Sequence, residues 1–224
     1  MSLLQFAESS SESDLRRALV ECGRICYERG LMVSNDGNLS VRLDDEAILI
    51  TPSGVSKGRM FEDDLLILDL EGNVRAALHG RSPSSETPMH LEAYRQRPDV
   101  RAAIHAHPVF ATALSVAGME FPSDVLPEVV LTLGEVPTTP YATPSSDEDA
   151  EAVRELIRTH NAILLCQHGS LTVGAHLEEA LIHLERIEHV AEVFWRAQAL
   201  GEVKRIPPEA HRRLSEMRSR FASK

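Results

Sequence analysis

Two spacings of apolar residues alternate along the chain. From Asp14 to Arg29 the residues Leu15, Ala18, Leu19, Cys22, Ile25 and Cys26 recur at helical spacing, and Gly30 stops the run. Leu39 to Leu43 alternates instead, Asp44-Asp45 supplies turn residues, and Ala47 to Thr51 continues the apolar pattern, which predicts a β-hairpin. A second hairpin is predicted from Leu65–Leu70 and Val74–Leu78 around Glu71-Gly72-Asn73. Helices are predicted over Ser85–Arg97 (ended by Pro98), Val109–Val116, Ser145–His160 with Ser146 or Asp147 near the N-cap, Leu177–Leu200 (ended by Gly201) and Pro208–Phe221. The short apolar runs ending at His107, Gln167 and Val173 read as strands, and Glu135–Pro140 reads as extended. Hairpins set among helices predict an α/β layered fold with a largely antiparallel sheet, not a doubly wound parallel one. Without repeats, low-complexity tracts or linkers, residues 1–224 are expected to form one domain, with 1–13 flexible and 202–224 a C-terminal helical tail.

Charge narrows the choice of partner. Lys and Arg number 23 against 34 Asp and Glu, a net charge of -11, which argues against nucleic acid or an anionic membrane. An anionic small substrate stays compatible, because it feels the local site. No apolar stretch is long enough for a membrane span, and Met1–Asp14 lacks the basic and apolar regions of a signal peptide. The cysteines Cys22, Cys26 and Cys166 form no disulfide framework, so a reduced, cytoplasmic protein is expected.

His105-Ala106-His107 closes an apolar strand and stops at Pro108. Residues two apart on a strand share a face, so the two imidazoles project side by side. On spacing alone they fit two ligands of one metal and a hydrogen-bonded core pair equally well. His168, in Gln167-His168-Gly169, also ends an apolar strand and adds a third candidate, and three imidazoles with an open position most often hold zinc. His176, His183 and His189 lack the three- or four-residue spacing of a helical metal pair, and His90 is a candidate supporting residue. Ser84-Ser85-Glu86 opens a predicted helix and reads either as an anion pocket or as a plain N-cap with a first-turn acid. The Ser34–Ser40 and Thr51–Gly54 loops are rich in small polar residues and glycine, without P-loop or dinucleotide-binding spacing.

The ordered series Gly37-Asn38-Leu39-Ser40, Thr51-Pro52-Ser53-Gly54, Ser84-Ser85-Glu86, His105-Ala106-His107 and Gln167-His168-Gly169 resembles the class II aldolase/adducin family, over about Leu15 to Gly201. The resemblance implies a three-layer α/β/α fold with a central, largely antiparallel sheet. It implies a divalent metal on His105, His107 and His168, usually Zn2+, with Mn2+ or Co2+ as alternatives. Glu86 would be the catalytic acid/base and would approach the metal when no substrate is bound. Asn38, Ser53, Gly54, Ser84 and Ser85 would hold a substrate phosphate, bordered by Gly37. Lys57 would either add charge there or be a solvated loop lysine. A C4 homotetramer with sites at subunit interfaces is also implied.

The implied reaction is retro-aldol cleavage of a ketose 1-phosphate to dihydroxyacetone phosphate and an aldehyde, with no Schiff-base lysine. The same scaffold carries ribulose-5-phosphate 4-epimerases, which typically have Asp where this chain has Glu86, and also dehydratases, sugar-acid decarboxylases and the non-catalytic adducin modules. The family's aldehyde-side tyrosine has no counterpart between Phe121 and Glu128, and Glu128 and Tyr141 are the nearest replacements.

Overall fold

Strand β1 (Asn38–Arg42) is buried at every position, yet only alternate residues are apolar. Leu39 and Val41 join one hydrophobic cluster, while Asn38, Ser40 and Arg42 face the other side of the sheet. This polar stripe inside a buried strand is where the site is built. The coordinates are a computed structural model that describes residues 2–5, 10–144 and 146–222.

The remaining strands are β2 (Ala47–Ile50), β3 (Leu66–Asp69), β4 (Val74–Ala76), β5 (Ala102–Ala106), β6 (Ala162–Leu165) and β7 (Gly169–Gly174). They form one seven-stranded sheet in the order β4-β3-β2-β1-β5-β7-β6, and all pairs are antiparallel. The helices are α1 (Glu12–Glu28), α2 (Thr87–Gln96), α3 (Val109–Val116), α4 (Pro127–Thr132), α5 (Asp147–Ile157), α6 (Leu177–Leu200) and α7 (Pro208–Ala222).

Each face of the sheet carries its own core, which makes three layers. On one face Leu39, Leu49 and Ile104 pack with Leu15 and Leu19 of α1, Leu114 of α3 and Leu184 and Ile187 of α6. On the other, Ile48, Leu66, Ala103 and Val173 pack with Met89 and Tyr94 of α2 and Val153 and Ile157 of α5. Ala103 belongs to the α2 face, so His105, two residues on, belongs to it as well. In the β1–β5 ladder Asn38 pairs with His105 and Ser40 with Ala103, which fixes the polar stripe beside the histidine.

The α2 helix begins at Thr87, two residues later than predicted, so Ser84-Ser85-Glu86 forms the approach to the helix with Glu86 at its N-cap position. Glu135–Pro140 forms no strand; Thr138 makes a single parallel bridge to Leu164 along the β6 edge. Helix α4 was not predicted. Its six residues, started by Pro127, are too few to show a helical period. The expected helix start at Ser145 lies outside the described residues, and Ser146 caps α5 by accepting from the Glu148 amide. Of the stretch expected to be flexible, residues 1 and 6–9 also lie outside them. Leu4 is buried and its carbonyl accepts from the Glu178 amide. Among the described residues, no helix is long and apolar enough to cross a membrane.

Candidate metal centre

Three short segments carry the histidines to one point. His105 is the fourth residue of β5, His107 follows the strand end, and His168 lies in the turn joining β6 to β7. That turn is tight: Leu165 pairs with Gly169, and Gln167 takes a left-handed φ of 55°. Gly169 is required by contact, since a Cβ there would lie 2.4 Å from the Ala106 carbonyl oxygen and 2.7 Å from the His107 ring. Gly37 does the same for the other flank, combining a φ of 72° with a Cβ position 2.8 Å from the His105 carbonyl oxygen.

The three ring centroids form a near-equilateral triangle with sides of 4.8, 4.8 and 4.9 Å. His105 Nε2 lies 3.0 Å from His107 Nε2 and 3.4 Å from Glu86 Oε1, and His168 Nε2 lies 2.9 Å from the same oxygen. All four candidate ligand atoms fall within 4.8 Å of one another. His105 Nδ1 donates to the Ser170 carbonyl at 2.9 Å, so the neutral ring presents a lone pair at Nε2. Lone pairs of nitrogen and carboxylate oxygen thus converge on a common centre, an arrangement that repels itself unless a proton or a cation lies between them. Tetrahedral ligation with nitrogen bonds of about 2.0–2.1 Å sets neighbouring ligand atoms about 3.3 Å apart, close to these spacings. The donor set therefore fits a borderline divalent ion. His168 Nδ1 is buried with no hydrogen-bond partner among the described residues.

The electrostatics agree. Where protons and not an ion lie between these atoms, burial would push the Glu86 carboxyl up, but hydrogen bonds from the protonated His105 and His168 nitrogens, the His105 charge and the Asn38 amide hold it far below the usual carboxylate range. Burial lowers His107 to about 4. For His168, burial acts downward, yet the Glu86 hydrogen bond and charge outweigh it and raise the imidazole above its ordinary value. The cluster draws positive charge towards Glu86.

The loops expected to hold phosphate are neighbours. Pro52 and Pro83 form an isolated bridge and the Ser53 amide donates to the Ser82 carbonyl, so Ser53-Gly54 lies beside Ser84-Ser85. Ser53, Gly54 and Ser85 are exposed. Asn38, predicted in the loop before the strand, is the first residue of β1 and is buried. Its amide donates to Glu86 Oε2 at 2.7 Å and to Ser84 Oγ at 3.3 Å. Lys57 is buried, not solvated. Its Nζ donates to the Asn35 and Val55 carbonyls and so ties the two glycine-containing loops together. Burial lowers its pKa to about 8, against the opposing charges of Glu86 and Asp36.

The two expected aldehyde-side residues have these surroundings. Glu128 lines a separate cavity of about 580 Å³ with residues such as Ile182, His189 and Val193, and none of its lining residues belongs to the histidine cluster. Tyr141 is exposed. The sequence reading missed Glu188, whose carboxylate accepts from the Phe110 and Ala111 amides and anchors the start of α3 directly after His107-Pro108.

A three-layer fold with a histidine–carboxylate cluster at its sheet ends defines a metal-centre architecture, and comparison with known proteins assigns it. Residues 17–195 match the model of the Class II Aldolase and Adducin N-terminal domain, and the chain belongs to that family, among its enzymes. It is 37% identical over 187 residues to a 3-oxo-tetronate 4-phosphate decarboxylase of Haemophilus influenzae, covering 82% of this chain and 88% of that protein. It is 35% identical over 180 residues to an L-fuculose phosphate aldolase of Methanococcus maripaludis, covering 80% and 95%. A solved L-fuculose 1-phosphate aldolase superimposes with a TM-score of 0.85 at 31% identity, covering 97% of this chain and all of that one.

Proposed function

We propose that this protein is a metal-dependent carbon–carbon lyase that decarboxylates a phosphorylated 3-oxo sugar acid, with dihydroxyacetone phosphate as the product. The observation that carries the reading is the placement of Glu86 Oε1 at 2.9 and 3.4 Å from two of three convergent histidine nitrogens. A divalent ion, Zn2+ in the first instance, would be held by His105, His107 and His168, and when bound it supplies Lewis-acid polarisation of the substrate carbonyl.

The chain's own residues account for the remainder. Ser53, Gly54, Ser84 and Ser85 receive the phosphate, with Asn38 bracing the pocket from below. In a 3-oxo acid the C1–C2 bond breaks, its electron pair passes into an enediolate, and CO2 leaves. With the His105 and His168 nitrogens engaged as ligands they would no longer donate to Glu86, which removes the contacts that hold it ionised. Carrying a proton, Glu86 gives it to C2, the carbonyl at C3 re-forms, and the resulting carboxylate regains a proton from solvent. A positioned acid of this kind contributes about a hundred- to ten-thousandfold.

Aldol cleavage of a ketose 1-phosphate is the second reading, favoured by the resemblance to the fuculose-phosphate aldolases. It shares the enediolate and Glu86, but it also requires a base to remove a hydroxyl proton on the aldehyde side. Release of CO2 requires no such base, and the resemblance to the 3-oxo-tetronate 4-phosphate decarboxylases supports decarboxylation. The proposal extends to a single-domain cytoplasmic enzyme assembled as a C4 tetramer with sites at subunit interfaces.

The test is direct. Metal-loaded protein is given 3-oxo-tetronate 4-phosphate and, separately, L-fuculose 1-phosphate. CO2 with dihydroxyacetone phosphate from the first supports decarboxylation. Dihydroxyacetone phosphate with an aldehyde from the second alone transfers the assignment to aldolase. Turnover of neither overturns both.

A further inference from the structure

Behind Glu86, away from the histidines, lies an unbroken line of hydrogen bonds through the buried polar stripe. Asn38 Nδ2 donates to Glu86 Oε2 at 2.7 Å. Asn38 Oδ1 lies 2.5 Å from His90 Nε2, His90 Nδ1 lies 2.7 Å from Ser40 Oγ, and Ser40 Oγ lies 2.8 Å from Tyr94 Oη. Ser40 and His90 are 0% exposed and Asn38 and Tyr94 2%, so water competes for none of these groups.

The direction of every bond follows from the carboxylate. An ionised Glu86 only accepts, so the Asn38 atom facing it is the amide nitrogen and the atom facing His90 is the carbonyl oxygen. A carbonyl also only accepts, so His90 Nε2 carries the hydrogen and Nδ1 is the lone pair. Ser40 therefore donates to Nδ1, and Tyr94 donates to Ser40. Burial keeps His90 neutral by lowering its pKa to about 3, which leaves this single tautomer.

We propose that His90 is a positioning residue for the lyase reaction: through Asn38 it reserves Glu86 Oε2 as an acceptor and confines the transferable proton to Oε1, the oxygen that faces the histidines. A proton on Oε2 would oppose the Asn38 N–H, and Asn38 is unable to rotate its amide without setting its N–H group against the N–H of His90. The carboxylic acid thus has one loaded oxygen and one anchored oxygen. This rests on Glu86 being the acid/base of the proposed reaction.

The experiment has a substrate-independent arm and a catalytic arm. Histidine 15N NMR of the metal-free and metal-loaded protein at neutral pH is expected to show His90 as the Nε2–H tautomer in both; an Nδ1–H tautomer overturns the proposal. The catalytic arm is deuterium exchange into dihydroxyacetone phosphate in D2O, which isolates the proton transfer shared by both lyase readings. His90→Phe is expected to retain its metal and KM and to lose about ten- to a hundredfold in exchange kcat, the range usual for a residue acting through a neighbour. His90→Gln, which can still donate to Asn38, is expected to recover most of the loss. His90→Phe exchanging at the wild-type rate overturns the proposal. If His90→Phe fails to fold, Ser40→Ala, which removes the donor to Nδ1, replaces it: a mixed tautomer with slowed exchange supports the proposal, and an unchanged tautomer with unchanged exchange overturns it. A wild type that exchanges nothing sinks the lyase reading instead, and the tautomer then decides the hydrogen-bond line by itself.

Discussion

Asn38 stands directly across the antiparallel ladder from His105, on the same face of the sheet. One register thereby sets two distances at once: His105 reaches the convergent centre, while the Asn38 amide reaches the carboxylate that closes it. A slip of one residue between β1 and β5 would turn Asn38 and Ser40 into the opposite core and bring Leu39 to Glu86.

Replacing Glu86 by Gln preserves shape but removes the proton donor. Metal content, by elemental analysis, should stay near that of the wild type, while turnover falls about a hundred- to ten-thousandfold. Full turnover in a metal-replete E86Q would remove Glu86 from the mechanism.

Chelation should abolish activity and lower thermal stability, both reversibly. At an ion concentration about a thousand times its Kd, binding adds about 4 kcal/mol to the folded state. His168→Ala should show the lowered stability without chelator and should gain little from added Zn2+. An unchanged melting temperature on chelation would count against a resident ion.

Gly169→Ala forces a methyl group against backbone, the Ala106 carbonyl, and should cost about 1–3 kcal/mol with loss of metal affinity. Gly54→Ala meets no atom within 4 Å and should cost only about 1 kcal/mol, from its φ of 71°. Denaturant titration of both variants checks the contrast. Equal penalties would contradict the close approach of the β6–β7 turn to His107.

The metal-free protein should weaken in mild acid. His107 and His90 are lowered by burial to about 4 and about 3, below the ordinary value of 6.5 they regain on unfolding. The unfolded chain then binds the extra protons, so this stability is present above about pH 6.5 and is lost as pH falls towards 4 and 3. His168 is raised and works the other way, its contribution fading as pH rises through its folded value. Urea midpoints at pH 7 and pH 5 should show the net loss, with a shallower dependence in His90→Gln. A midpoint that rises on acidification would contradict the burial of these rings.

The parts of this site visible in the sequence were those marked by local pattern. Imidazoles at the ends of apolar runs marked His105, His107 and His168 as candidates, whereas Ser84-Ser85-Glu86 also read as a plain N-cap and only the ordered motifs that resemble the family singled out Glu86. The hairpins and most helices were legible from local pattern. Asn38 was legible as a polar loop residue but not as the partner of Glu86, because that contact depends on a strand register spanning distant segments. His90 was legible as a candidate supporting residue, but its links to Ser40 and Tyr94 were not; only the packing of α2 over Ser40 joins them. Lys57 is charged and close to a turn, which leaves a charge at the phosphate loops and a solvated side chain both open. Its two carbonyl partners are visible only after the loops have folded together.

The four convergent atoms come from stretches that are remote along the chain: the approach to α2, the end of β5 and the turn before β7. An ion joining them is therefore also a cross-link, closing large loops whose closure otherwise costs chain entropy. Its full donor set exists only where the approach to α2 and the turn before β7 both lie beside the end of β5. Ion capture would then report that these three distant segments have come together.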